Sequence, residues 1–311
     1  MAAPVRRRPG GVRDTSAEVG TADGAAGCAR ERRHRDPAAP GARHRTHREF
    51  PCRAAVPAPA KRRHLQNLYT FARMVDDLGD EAPGDRRSAL DAITHALDRI
   101  YRGDVPDHAL YRPLAATIAA CDLPREPFDR LVEANRRDQT VHHYRTFDDL
   151  LGYCTFSADP VGRLVLAVFD VVTPEREALS DRICSALQVL EHCQDVAEDA
   201  RAGRIYLPAE DLEHFGVSER DLVASQASRG LRALVAFEVQ RAVALLDEGT
   251  PLVGTLTGAA RAAVAGYVAG GRATAVALAE AGFDVLTATP RPSRARTAAE
   301  WVRLLLTGGA R

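Results

Sequence analysis

The stretch that most limits what this chain can become is LQNLYTFARMVDDLGDE, from Leu65 to Glu81. Its apolar residues Leu65, Leu68, Ala72, Val75 and Gly79 recur at helical spacing and predict one amphipathic helix. Asp76 falls near the middle of that stripe. Asp80 follows one turn later, so both carboxylates project from the face that packs inward. Arg73 and Asp77 flank the pair. A core-facing carboxylate must have its charge compensated. Two that share a face repel each other, and a cation bound between them is one solution. The plainer alternative is that the acids mark the solvated end of the helix.

A second stretch, LEHCQDVAEDARAGRIYLP, favours the cation. Glu191, Asp195 and Asp199 repeat one turn apart along the edge of an apolar stripe made by Ile183, Cys184, Leu187 and Leu190. Two helices with inward acids can face each other across a cavity. Hard oxygen ligands with open positions suit Mg²⁺, which keeps some waters and binds substrate phosphate oxygens. The implied ligand is a diphosphate whose organic tail lies in an apolar helical bundle.

The rest of the chain agrees with a large helical domain. Of 311 residues, 45% are hydrophobic and only 5% aromatic, with Ala, Leu and Arg abundant, which favours helix over sheet. A formal net charge of +0 gives no global argument for a nucleic-acid partner. Helices are predicted over 86–101, 110–121, 128–144, 147–170, 231–246, 252–281 and 298–306. Thr173-Pro174 opens another that runs to Arg201 and stops at Gly203. No apolar run reaches membrane-spanning length, which leaves peripheral association as the mode of any membrane contact. Cys28, Cys52, Cys121, Cys154, Cys184 and Cys193 form no C-x-x-C pair and read as reduced thiols of a cytosolic protein. No G-x-G-x-x-G or P-loop suggests a nucleotide site. The adjacent His142 and His143 point in different directions on a helix and make poor joint metal ligands.

The two acidic motifs resemble those of the squalene/phytoene synthase family. REFPCRAAVPAPAKRRHLQNLY from Arg48 resembles the family's opening segment around a Phe-Pro. YCTFSADPVGRLVLAVF from Tyr153 resembles its central helix, and GRIYLP from Gly203 the loop after its second motif. Within the family, LEHCQDVAEDARAGRIYLPAEDL and SADPVGR are similar to the bacterial hydroxysqualene synthase branch. The resemblance implies an all-α, isoprenoid-synthase-like bundle around a central cavity, occupying residues 48–311. It implies Mg²⁺ at Asp76, Asp80, Glu191, Asp195 and Asp199. It places Tyr69, Arg73, Gln188, Gln194 and Tyr267 on the substrate, and Asp138 near its diphosphate. It also makes Tyr153 a hydroxyl at the reacting centre. On the residues alone, Tyr153 and Tyr267 are equally core tyrosines and Asp138 a surface acid. Glu191 and Gln194 stand where many relatives have Asn and Arg, and Asp159 stands where the hydroxysqualene synthase branch usually has Asn.

The implied reaction converts presqualene diphosphate and water to hydroxysqualene and diphosphate, without a nicotinamide cofactor. Condensation of two farnesyl or geranylgeranyl diphosphates uses the same motifs. A non-catalytic helical scaffold is the rival of a different class, and inward acids on two helices argue against it. Residues 1–47 are rich in Arg, Gly, Ala and Pro and nearly free of large apolar residues. Such a segment reads as a disordered extension, a basic arm for anionic lipid or nucleic acid, or the product of an upstream translation start. Deleting residues 1–45 is expected to leave melting temperature and activity close to those of the full chain. A large drop in melting temperature would make the segment part of the fold.

Overall fold

Helix α1 (Pro59–Asp80) buries Leu65, Leu68, Phe71, Val75 and Gly79. Phe71, rather than the half-exposed Ala72, completes the stripe. Its ring meets the fully buried Phe128 edge-on, with centroids 5.2 Å apart. The computed structural model describes residues 59–80 and 84–309. The 1–47 extension, the Phe-Pro segment, Glu81, Cys28 and Cys52 lie outside these residues.

The remaining helices are α2 (Arg86–Tyr101), α3 (Tyr111–Cys121), α4 (Glu126–Arg137), α5 (Phe147–Ser157), α6 (Asp159–Val168) and α7 (Pro174–Gln194). They continue with α8 (Val196–Arg201), α9 (Ala209–His214), a 3₁₀ turn (Glu219–Val223), α10 (Arg229–Gly249), α11 (Leu252–Thr255), α12 (Gly258–Glu280) and α13 (Arg294–Thr307). Among the described residues the fold is all-α. A lone parallel bridge between His143 and Ile205 is its single extended pairing.

Four predicted helices are shorter than their periodicity suggests. The 128–144 helix ends at Arg137, and the chain then turns so that His142 and His143 lie on extended backbone. The 147–170 helix breaks at Ala158, because Pro160 has no N–H to donate and takes the first turn of α6 instead. The helix opened by Pro174 breaks at Asp195. The 252–281 helix divides at Leu256 and Thr257. Apolar periodicity runs through each break, so pattern alone does not reveal it.

Helix α7 is the shared wall. Its Val189, Leu190 and Cys193 pack with Leu231, Leu234 and Val235 of α10, and its Ile183 and Ala186 with Val264 and Val268 of α12. The layer of α1 to α4 and α6 forms a further core around Val75, Leu97, Phe128 and Leu164. Helix α12 corrects one expectation, since its 23 residues are long and apolar enough to cross a membrane by length and composition. Over half of its apolar window is buried inside the bundle, and Arg272 pairs with Asp247 at 2.7 Å and Glu300 at 2.8 Å. Both features belong to a core helix. Cys121, Cys154, Cys184 and Cys193 are unpaired thiols.

Asp159, at the start of α6, is buried and accepts from Ser185 Oγ at 2.9 Å. Burial pushes its carboxyl up to about 7, helped by the nearby charge of Asp181. The folded chain therefore holds a proton that the unfolded chain has already released between the ordinary aspartate range and pH 7. The stability this contributes is fully present below the ordinary aspartate range and is lost progressively as pH rises to about 7, on the order of 4 kcal/mol. Asp159→Asn keeps an acceptor for Ser185 and removes the titration. The variant is expected to unfold at higher denaturant than the parent at pH 8 and at similar denaturant at pH 4. Parallel pH profiles for the two proteins would contradict this assignment.

Candidate active site

The end of α1 is fastened to α4 by contacts that need a glycine. A Cβ at Gly79 would lie 2.1 Å from Asn135 Oδ1, so only a bare backbone fits there. Buried Asn135 donates from Nδ2 to Asp76 Oδ1 at 3.3 Å and to the Leu131 carbonyl at 3.2 Å. Gln139 Nε2 donates to the carbonyls of Gly79 and Asn135, both at 3.0 Å. Asp76 and Asp80 are half-buried, whereas exposed Asp77 pairs with Arg73 at 2.7 Å.

Asp80 is compensated from far along the chain. Arg204 Nη1 donates to Asp80 Oδ1 at 2.6 Å, with 12% of the arginine and 17% of the aspartate side chain exposed. Gly203, at φ +80°, ends the turn after α8 and delivers Arg204 to this position. The Arg204 N–H then donates to the Asp199 carbonyl, and those of Ile205 and Ala209 donate to the carbonyls of His142 and Tyr144. This lacing fixes the GRIYLP loop beside the segment that precedes α5.

Four rings gather where the two segments meet. His192 stacks on Tyr206 at 3.8 Å between centroids, and Tyr153 and Tyr144 lie 5.6 and 5.8 Å from Tyr206. Asp138 accepts from the Tyr153 hydroxyl at 2.7 Å and from that of Tyr206 at 3.3 Å. Burial pushes Asp138 up to about 6, against the opposing hydrogen bond from Tyr153 and the charge of Arg204. Burial also pushes the Tyr153 hydroxyl well above its ordinary value, so at neutral pH it is a donor rather than a phenolate. A small cavity of about 10 Å³, room for one water, is lined by His192, Asp199, Arg204, Tyr206, Leu207 and Leu222.

The second acidic set crosses the junction of α7 and α8. Asp195 sits at the break with φ −101° and ψ 14°. The Asp195 N–H still donates to the Glu191 carbonyl, and the Asp199 N–H to that of Asp195, each at 2.9 Å. The break therefore interrupts the helix without losing the one-turn register of the three acids. Buried Asp199 lies 3.7 Å from His192 Nδ1, and Gln188 Nε2 is 3.1 Å from His192 Nε2. Glu191 and Asp195 are half-buried. Gln194 is engaged elsewhere, donating to the Pro290 carbonyl at 2.5 Å in the loop before α13. Tyr267 packs against two core clusters, and Tyr69 is half-buried on α1.

The structure thus links the two acidic helices through groups that periodicity does not single out: Asn135, His192, Arg204 and Tyr206. The available signal for Arg204 was a cation just after Gly203, one turn and one residue past an acidic series. Among the described residues, no three His, Cys, Asp or Glu side chains converge as a ready cage for a metal ion. Paired carboxylates one turn apart nevertheless suit Mg²⁺, which takes one or two such ligands and completes its shell with water and phosphate oxygens.

Comparison with known proteins follows the same lines. The squalene/phytoene synthase family model matches residues 43–298. The crystal structure of squalene synthase HpnC from Alicyclobacillus acidocaldarius is 48% identical, with a TM-score of 0.68 over 72% of this chain and 84% of that one. A dehydrosqualene synthase in complex with ligand is 25% identical, with a TM-score of 0.72 over 79% and 87%. The hydroxysqualene synthase of Zymomonas mobilis is 33% identical over 65% of this chain and 68% of its own length. Phytoene synthase 1 of Arabidopsis thaliana is 31% identical over 65% of this chain, which spans about half, 50%, of that protein.

Gly79→Ala tests the α1–α4 contact. Helix propensity alone would stabilise the variant by about 1 kcal/mol. Displacing Asn135 from Asp76 and Leu131 costs about 1–3 kcal/mol as overpacking, so a net loss in urea unfolding is expected. A variant that outlasts the parent would show that Asn135 yields freely.

Proposed function

The chain belongs to the squalene/phytoene synthase family, whose members process prenyl diphosphates, and on that basis we propose that it converts presqualene diphosphate and water to hydroxysqualene and diphosphate. The observation that carries the reading is the meeting of Asp80 and Asp199, from two acidic helices, at one buried cluster through Arg204, Tyr206 and His192. The hydroxysqualene synthase relatives support the hydrating branch, and the 48% identity to squalene synthase HpnC supports a squalene-type product.

In this reading Asp76 and Asp80 on α1, with Glu191, Asp195 and Asp199 across α7 and α8, hold Mg²⁺ together with the diphosphate. Bound there, Mg²⁺ supplies Lewis-acid neutralisation of the leaving group's charge. Tyr69, Arg73 and Gln188 hold phosphate oxygens, while Gln194 anchors the loop at Pro290 instead. The C–O bond breaks with its electron pair leaving on the diphosphate. Apolar and aromatic walls keep bulk water from the carbocation. One admitted water forms the new C–O bond and gives a proton to the Tyr153 hydroxyl, which passes its own to Asp138 across 2.7 Å. With its carboxyl at about 6, Asp138 is ionised at neutral pH and can accept that proton.

Phytoene synthases of similar identity support a second reading, head-to-head condensation of two prenyl diphosphates. Incubation with presqualene diphosphate, Mg²⁺ and NADPH in ¹⁸O-labelled water separates the readings. An ¹⁸O-labelled C30 alcohol is expected. Squalene that appears only with NADPH would replace hydration by reduction. Turnover of farnesyl diphosphate alone would move the chain to the condensing reaction. In the same assay Asp76→Ala and Asp195→Ala are expected to abolish turnover while far-ultraviolet circular dichroism stays nearly unchanged. Near-full activity of either variant in excess Mg²⁺ would contradict a site built on both acidic sets.

A further inference from the structure

We propose that Arg204 is a built-in counter-cation that occupies Asp80 until a metal–diphosphate complex displaces it, so that the site takes divalent ions poorly unless diphosphate is present. The inference rests on the reading of Asp80 as a carboxylate of the metal–diphosphate site.

Three observations carry it. First, the Arg204–Asp80 pair is a short, direct bond between two largely buried side chains, 2.6 Å apart. A divalent ion and a guanidinium held at the same carboxylate repel each other at close range, so they compete for it. Second, the guanidinium has somewhere to go. Asp138 lies within electrostatic reach of Arg204 and is itself buried against Tyr153 and Tyr206. Giving up Asp80 therefore leaves Arg204 beside another acid, not stranded as an uncompensated buried charge. Third, Arg204 Nε is buried and makes no hydrogen bond. It keeps a donor in hand for a new acceptor, and a buried donor without a partner is costly enough to favour rearrangement. The loop that carries Arg204 is itself fixed by backbone bonds to His142 and Tyr144, so the exchange needs only side-chain movement.

The consequence is a linkage. Whatever weakens the hold of Arg204 on Asp80 strengthens metal binding, and by reciprocity metal binding loosens Arg204. Removing the arginine charge leaves Asp80 short of its counter-ion and open to a cation from solution.

The test measures Mn²⁺ binding to the full chain by loss of the free-ion electron paramagnetic resonance signal, with and without inorganic diphosphate. Arg204→Gln and Arg204→Met remove the charge in two ways, and Arg204→Lys restores it. Without diphosphate, both neutral variants are expected to bind Mn²⁺ about tenfold more tightly than the parent, at the lower end of couplings between linked sites. The lysine variant should stay close to the parent, and adding Asp80→Asn to either neutral variant should erase the gain. A merely structural arginine would give neither the gain nor its rescue. Equal Mn²⁺ affinity in parent and neutral variants, with diphosphate-dependent binding intact, overturns the role of Arg204 alone. Failure of the parent to bind Mn²⁺ even with diphosphate overturns both this proposal and the metal–diphosphate site on which it rests.

Discussion

Carboxylates drawn into a helical bundle must be compensated, and the arrangement of this bundle follows from how that is done. Asp80 has Arg204, Asp76 has Asn135, and Asp138 has two tyrosine hydroxyls, while Asp199 lies 3.7 Å from His192. Each partner comes from a different element than its acid. Together these bonds tie α1 to α4, α4 to α5, and α1 to the loop after α8. The apolar cores supply most of the driving force for folding, but as non-directional attraction they are less exacting about the register of one helix along another. The polar bonds are not, because a buried charge left without its partner costs several kcal/mol. They fix the relative placement of the elements that carry the acids.

How much of this was legible depended on the physical range of each signal. Apolar residues at helical spacing gave α2 with its ends, Arg86 and Tyr101, because Asp85 caps its first turn and Gly103 follows its last. The inward position of Asp76 and Asp80 was legible too, since a carboxylate on an apolar stripe is improbable without a reason. The breaks at Ala158 and Asp195 were not, because the apolar pattern continues through both. Pro160 was the available clue at the first; the second has no such residue. The short helix α9 and the 3₁₀ turn at Glu219–Val223 are too brief to show a period. Least legible was the partner of Asp80. The two residues are 124 positions apart, and nothing local to either announces the other. Sequence reasoning asked for a cation beside the acids and named a metal. The fold answers first with a guanidinium.

The same loop explains why the family's chemistry can sit on these helices. GRIYLP places a cation and an aromatic ring, Arg204 and Tyr206, on either side of one apolar residue, Ile205, whose N–H is tied to His142. Alternation along an extended backbone sends neighbouring side chains to opposite faces, so the second and fourth residues of the loop, Arg204 and Tyr206, reach the same cluster. His192, one residue after Glu191, turns inward behind the acidic edge of α7 and supports Tyr206 by stacking. In the proposed reading, acids on two helices, one loop between them and a buried tyrosine–aspartate pair make up a site suited to releasing an anion from an apolar molecule.

The central claim is that both acidic helices act on one prenyl diphosphate through a divalent ion. Isothermal titration with farnesyl thiodiphosphate, a diphosphate ester that resists ionisation, tests it without relying on turnover. The account predicts binding in Mg²⁺ that disappears in EDTA and that is lost equally in Asp80→Asn and in Asp199→Asn. Undiminished binding in EDTA, or in either variant, would contradict it.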